Sequence, residues 1–274
     1  MRPHPEGSGR RAPEISVVVT THDRAWILPR ALDSVLAQTW TDFELIVVDD
    51  ASADDTGELL AAYARRDPRL RVIKRAVSSR AEWPETEPRN DGVRVASGRY
   101  IAHLDSDNAW HPRFLERMRA HLAARPEVQL AWCNAINHYA SARDFARSIG
   151  EDRRPLRRAD PAARTAVFAG CDLVGGRPGL DWYIDTNEIM HRAGLFARLG
   201  HLWPVAHPRR AELLAEALLE RPGRRFGDLW LAERTIAACG HGALSHLDED
   251  LVFFHYDAPP TCAPPRVVVR AARG

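Results

Sequence analysis

A chain of 274 residues with a formal net charge of +1 can bury a full core, as one large domain or as one with an elaborated second half. The near-neutral balance excludes a nucleic-acid partner held by bulk phosphate neutralisation. No run of 18 apolar residues is present, and the Arg/Pro/Gly-rich first 13 residues lack a signal-peptide core, so a soluble cytoplasmic protein with no transmembrane segment is expected.

The basic residues are almost all arginine, with Lys74 the single lysine. The four cysteines, Cys133, Cys171, Cys239 and Cys262, lie far apart without CxxC spacing, which argues against a zinc site or a disulfide framework.

In chain order, Ile15–Thr20 (ISVVVT) is a continuous apolar run, as a strand buried on both faces requires. Leu28, Leu32, Val35 and Leu36 then recur at helical spacing, with Pro29 acceptable in a first turn. Glu44–Asp50 reads as the second strand, and Asp54 as the N-cap of a helix running to about Arg66. Leu70–Lys74 is the third strand, 75–88 a loop, and a short helix follows to about Ser97. Tyr100–Asp105 is the fourth strand, Pro112 opens a helix, and Val128–Cys133 is the fifth. This β/α alternation predicts a doubly wound, mostly parallel sheet with ligands at the strands' carboxyl ends.

The second half is less regular. Residues 141–180 are expected to be loops with one or two short strands. Apolar elements return at Trp182–Ile184, in helices near 192–199 and 208–220, and in a helix starting near Asp228. A last strand at Leu251–His255 precedes a Pro-rich tail.

The fourth strand runs straight into Asp105-Ser106-Asp107. Alternate residues of a strand share a face, so the two carboxylates project together and repel unless something positive lies between them. A divalent cation completed by phosphate oxygens and water fits that place. Neither GxGxxG nor GxxxxGK[ST] occurs, so a diphosphate would be held by metal and side chains rather than by a glycine-rich cradle.

Three stretches, ISVVVTTHDRAWILPRALDSVLAQTWTDFELIVVDDASADDT (15–56), RNDGVRVASGRYIAHLDSDNAWHPRFLERM (89–118) and RRFGDLWLAER (224–234), resemble the family 2 glycosyltransferases. YIDTNEIMHR (183–192) and HLDEDL (246–251) are similar to the spore-coat polysaccharide type. The resemblance implies an α/β, GT-A nucleotide-diphospho-sugar transferase fold. It would comprise a flexible segment 1–13, a nucleotide-sugar half 14–134, an acceptor-side catalytic half 135–257 and a tail 258–274. It further implies an inverting transfer from a nucleoside-diphosphate sugar, UDP or dTDP foremost, to a hydroxyl of a carbohydrate or small-molecule acceptor. Mn²⁺ or Mg²⁺ would assist, in envelope-glycan or natural-product glycosylation. Oligomeric state is left open.

Position by position, Thr20 falls where the family binds the base through the backbone, and Asp50 where it recognises base or ribose. Asp105 matches the first acid of the metal motif, contacting ribose or metal-bound water, and Asp107 the last, a direct metal ligand. Arg80 and Arg89 compete for the diphosphate or base. Asp23 replaces the family's usual Asn and either alters base preference or caps a turn. Asp228, in Gly227-Asp228-Leu229-Trp230, matches the catalytic base and also suits a helix N-cap. His255 is placed near the metal or diphosphate, and Asp185 and Trp182 on the acceptor side.

Two other classes remain as alternatives. A nucleotidyltransferase would want a basic, glycine-rich loop after the first strand, where THDRAW offers only Arg24. A non-catalytic sugar-nucleotide binding module would be marked by loss of Asp107 or Asp228, and both are present.

Overall fold

The computed structural model describes residues 11–79, 86–151, 156–168, 186–200 and 226–256. The first half follows the expected alternation: β1 (Ile15–Thr21), α1 (Leu28–Leu36), β2 (Phe43–Asp49), α2 (Thr56–Arg66), β3 (Leu70–Lys74), α3 (Thr86–Val95) and β4 (Tyr100–Asp105). A two-residue strand β5 (Ala109–Trp110) precedes α4 (Phe114–Ala123). The second half adds β6 (Leu130–Tyr139), α5 (Ala142–Glu151), β7 (Leu156–Asp160), β8 (Thr165–Phe168), β9 (Ile189–Arg192), α6 (Leu195–Leu199), α7 (Phe226–Cys239) and β10 (Leu244–Tyr256).

One ten-stranded sheet holds both halves together in the order β3-β2-β1-β4-β9-β6-β10-β5, with β8 beside β6 and β7 beside β8. β3, β2, β1 and β4 are mutually parallel, and so are β6 and β10. β9 is antiparallel to both β4 and β6 and joins the two parallel blocks. The chain leaves β1 towards β2 and β3, then returns to place β4 on β1's other side. The β1/β4 boundary is therefore a switch point, where the helices on either side diverge and leave a crevice at the carboxyl ends.

Ile15, Val17 and Val19, with Leu45, Val47, Tyr100, Ala102 and Leu104, point to one face and form a core with α1 and α4. On the other face α3 lies very close to β1: a Cβ on Gly92 would come 2.4 Å from Val18 Cγ1, so only glycine allows that approach. A second cluster there joins Leu130, Trp132 and Ile189 to Leu195, Phe196, Leu231 and Ala232, seating α6 and α7 on the sheet.

The structure corrects several expectations. Residues 142–151 form a helix where loops were expected; Ser141 Oγ accepts from Asp144 N at 3.1 Å and donates to its carboxylate at 2.6 Å, a local cap on a helix whose Phe145 and Ile149 pack against Tyr139. β6 continues to Tyr139 and β10 begins at Leu244, because each extends its partner's parallel ladder. β5 was not foreseen; two residues carry no periodicity. Asp54 is not the N-cap of α2, which is Asp55. Instead Asp54 ties two segments, accepting from Thr56 N and Ala25 N, both at 3.0 Å. The 208–220 helix and Trp182–Ile184 lie outside the described residues.

Candidate functional site

The β1/β4 boundary gathers Thr20, Arg89, Asp105 and Asp107 of the residues singled out in the sequence. Thr20 and Asp105 are register partners at the ends of β1 and β4, and Thr21 pairs with Asp49 of β2. Thr21 Oγ1 and Asp49 Oδ2 are buried there without a hydrogen-bond partner.

Asp105 is held from three directions. Its Oδ1 accepts from Arg89 Nη2 at 2.9 Å, its Oδ2 from Asn187 Nδ2 at 2.9 Å, and its backbone N–H donates to Asn187 Oδ1 at 2.6 Å. The Arg89–Asp105 pair is well buried, with the side chains 6% and 13% exposed. Arg89 is thus brought to the site, on α3, as the partner of an acid in the Asp-x-Asp motif.

Asp107 is paired differently. Arg24, on the β1–α1 loop, donates Nη1 to Asp107 Oδ2, and here the side chains are 38% and 32% exposed. The mutual repulsion expected of Asp105 and Asp107 is therefore relieved by two guanidinium groups, one pair closed and one open to solvent.

The Arg24 loop is rigidly seated. Asp23 has a φ of 50° and accepts at Oδ1 from Ala53 N (2.7 Å) and Asp54 N (3.3 Å), while its own N–H donates to Ser52 Oγ at 2.9 Å. Of the two readings for Asp23, turn-capping is what these bonds describe. Arg24 N donates to Thr56 Oγ1 at 3.3 Å.

Asp50 sits at the end of β2 with its carboxylate fully engaged. Oδ1 accepts from Arg75 Nη1 at 2.7 Å, and Oδ2 from Ser78 Oγ at 2.8 Å and Ser79 Oγ at 3.1 Å; Ser79 N reaches both oxygens. Its geometry is that of an anchor for the loop after β3. Arg75 in turn reaches Asp91 of α3 at 3.0 Å, linking this loop to the helix that carries Arg89.

His255 lies on β10, and its N–H donates to Asn108 Oδ1 at 3.2 Å, which places this strand beside the metal-motif loop. Its ring stacks on His138 with centroids 4.9 Å apart. Among the described residues no three His, Cys, Asp or Glu side chains are gathered to hold a metal, so Asp105, Asp107 and His255 do not form a ready-made set. The donor chemistry nevertheless suits Mg²⁺ or Mn²⁺, which bind through one or two carboxylates with the remainder from phosphate and water. Asp107 fits that role, because its carboxylate is partly exposed to solvent.

Asp228 is the third residue of α7, not its N-cap, and its side chain lies outside the described residues. Arg80, Trp182 and Asp185 also lie outside them.

The sequence matches the model for Glycosyl transferase family 2 over residues 16–172, more than half of the chain. The chain belongs to that family. Curated relatives include the uncharacterized glycosyltransferase YibD of Escherichia coli, 28% identical over 140 residues (51% of this chain, 39% of YibD). The succinoglycan biosynthesis protein ExoO of Rhizobium meliloti is 42% identical over 108 residues (39% of this chain, 29% of ExoO). The chain thus spans two-fifths or less of these relatives' length. Among solved structures, S. aureus TarS in complex with UDP-GlcNAc superposes with a TM-score of 0.63 at 18% identity, covering 90% of this chain and 59% of that one. The mannosyltransferase PcManGT from Pyrobaculum calidifontis, in complex with GDP-Man and Mn²⁺, gives 0.58 at 18% identity, covering 92% and 59%. These likenesses establish the fold, the GT-A glycosyltransferase architecture.

In this family 2 glycosyltransferase, sequence reasoning passed over Asn187, Ser78, Ser79 and Arg75, and gave Arg24 no role in sugar transfer. Asn187 lies within the YIDTNEIMHR stretch, but its pairing with Asp105 spans 82 residues and left no local trace. No helix among the described residues is long and apolar enough to cross a membrane.

Proposed function

We propose that the enzyme transfers a sugar from a nucleoside diphosphate to an acceptor hydroxyl with inversion at the anomeric carbon. One observation carries this reading: the Asp105-x-Asp107 pair stands at the carboxyl end of β4, in the switch-point crevice, with Arg24 and Arg89 alongside. Thr20, Asp50 and the loop it anchors border the place for the nucleotide. Asp105 would face ribose, and Asp107 would hold Mn²⁺ or Mg²⁺. That ion, when bound, supplies charge neutralisation for the departing diphosphate.

Asp228 is the general base of this reading. Gly240 and a 3-10 turn at His241–Ala243 join α7 to β10, and Leu231 and Ala232 of α7 pack on the sheet beside Leu244. As the acceptor oxygen bonds to the anomeric carbon, its proton passes to Asp228. The bond from that carbon to the phosphate oxygen breaks, and its electron pair leaves with the diphosphate. A uridine or thymidine diphosphate sugar is the favoured donor, TarS having been solved with UDP-GlcNAc. ExoO, a succinoglycan biosynthesis protein, supports a carbohydrate acceptor in envelope-glycan assembly.

Calorimetry with UDP, dTDP and GDP, each with and without Mn²⁺, tests the donor: one diphosphate should bind in a metal-dependent manner, and if none does, the reading is wrong. With that donor in hand, Asp228→Asn should lower transfer by about 10²–10⁴-fold with nucleotide binding nearly intact. Transfer surviving within a few-fold would reduce Asp228 to a helix-end residue.

A further inference from the structure

The two arginines of the crevice are not equivalent, and the difference assigns Arg24 a task. Arg89 is buried against Asp105 and braced by the helix that carries it. Arg24 reaches across from β1's loop to Asp107, and this half-exposed pair is cheap to open. Its backbone cannot follow the side chain: Ala25 N is fixed to Asp54 Oδ2 at 3.0 Å, and Arg24 O accepts from Ile27 N and Leu28 N at 3.0 and 2.9 Å, where α1 begins. The guanidinium is thus a cation on a rigid mount, able to swing within the crevice and not to leave it.

We infer that Arg24 is an exchangeable counter-cation: it occupies the Asp107 carboxylate in the free enzyme and, when a divalent cation takes that carboxylate, moves onto the diphosphate of the donor. The inference rests on Asp107 being the metal ligand. Charge balance supports the exchange. Asp105 with Arg89 and Asp107 with Arg24 are two neutral pairs. A divalent cation and the doubly charged diphosphate of a nucleotide sugar together add no net charge to these two pairs, with Asp107 then facing the metal and Arg24 freed. A guanidinium fork then matches two phosphate oxygens. When the sugar departs, the diphosphate gains a further negative charge, so an arginine held there is worth more as the bond breaks than before.

Binding of Mn²⁺ alone, followed by electron paramagnetic resonance of the free ion, separates the inference from the reading beneath it. Inorganic pyrophosphate serves as a diphosphate probe that is independent of base and sugar. Asp107→Ala should abolish Mn²⁺ binding. Arg24→Gln should bind Mn²⁺ alone about three- to fivefold more tightly, having lost the competing cation. The same variant should bind pyrophosphate in the presence of Mn²⁺ about tenfold more weakly, with Arg24→Lys intermediate because it keeps the charge without the fork. Should Asp107→Ala abolish Mn²⁺ binding while Arg24→Gln binds it no more tightly than wild type, Arg24 is a static surface partner and the inference falls alone. Normal Mn²⁺ binding by Asp107→Ala would instead remove the metal reading together with everything built on it. Thermal melting of each variant confirms that the fold is retained.

Discussion

Asn187 is fully buried, and its single amide meets both the main chain and the side chain of Asp105. Donor and acceptor are both used, so the first acid of the motif has one orientation rather than a set of rotamers. Removing the amide takes away two part-buried hydrogen bonds, one of them to a carboxylate, which costs about 1–3 kcal/mol. Asn187→Ala should therefore lower the melting temperature and, if Asp105 faces ribose, weaken nucleotide binding as well. Binding that matched wild type in a destabilised variant would show that Asn187 does not position Asp105 for the nucleotide.

Among the elements, the junction before β4 is closely tied. Gly98 N donates to Ser16 Oγ at 2.8 Å, and Ser16 Oγ donates to Glu44 Oε1 at 2.6 Å; Ser97 adds its N–H and hydroxyl to the same carboxylate oxygen. The starts of β1 and β2 and the turn into β4 are thereby lashed together. A Cβ on Gly98 would lie 2.5 Å from Ser16 N and 2.7 Å from Ile15 C, both main-chain atoms that cannot step aside without breaking the β1 ladder. Gly98→Ala is expected to destabilise by about 1–3 kcal/mol in urea unfolding, the usual range for overpacking. A smaller loss would mean that the turn can move away from β1. Because this junction sets where β4 ends relative to β1, the same substitution should also weaken nucleotide binding.

Across the whole molecule, the seam between the two parallel blocks holds a buried histidine pair. His103 of β4 and His191 of β9 meet Nε2 to Nε2 at 3.1 Å, so one ring donates and the other accepts, an arrangement that two protonated rings cannot make. Burial holds His103 well below the usual imidazole range, with His191 and Arg89 adding to the effect, and burial lowers His191 to about 4. In the unfolded chain both titrate near 6.5, so below that pH the unfolded state binds more protons and stability falls with falling pH. The full contribution is present above about pH 6.5 and is lost on descending towards about 4, at a slope of at most about 1.4 kcal/mol per pH unit for each histidine. Melting temperatures at pH 7.5, 6 and 5 should decline through this window, and His191→Gln should shallow the decline; an unchanged profile in that variant would place the acid sensitivity elsewhere.

The sequence by itself determined the elements whose physical cause is local. Short apolar-rich runs predicted β1, β2, β3 and β4 to within a residue at either end; the polar residues inside them are either buried with a side-chain partner, as Ser16 and His103 are, or exposed on the edge strand β3, as Arg71 is. The alternation of those strands with helices then put Asp105 and Asp107 at a carboxyl edge. The capping signal Ser141-x-x-Asp144 was equally local and went unread, which is how α5 was missed. Only the tertiary structure decided the order of strands, the antiparallel insertion of β9 between two parallel blocks, and the partners of the acids. Arg24 meets Asp107 from 83 residues away and Asn187 meets Asp105 from 82. Such pairings depend on the crossover that brings β4 back beside β1, and a contact created by chain reversal has no period in the sequence from which to be read.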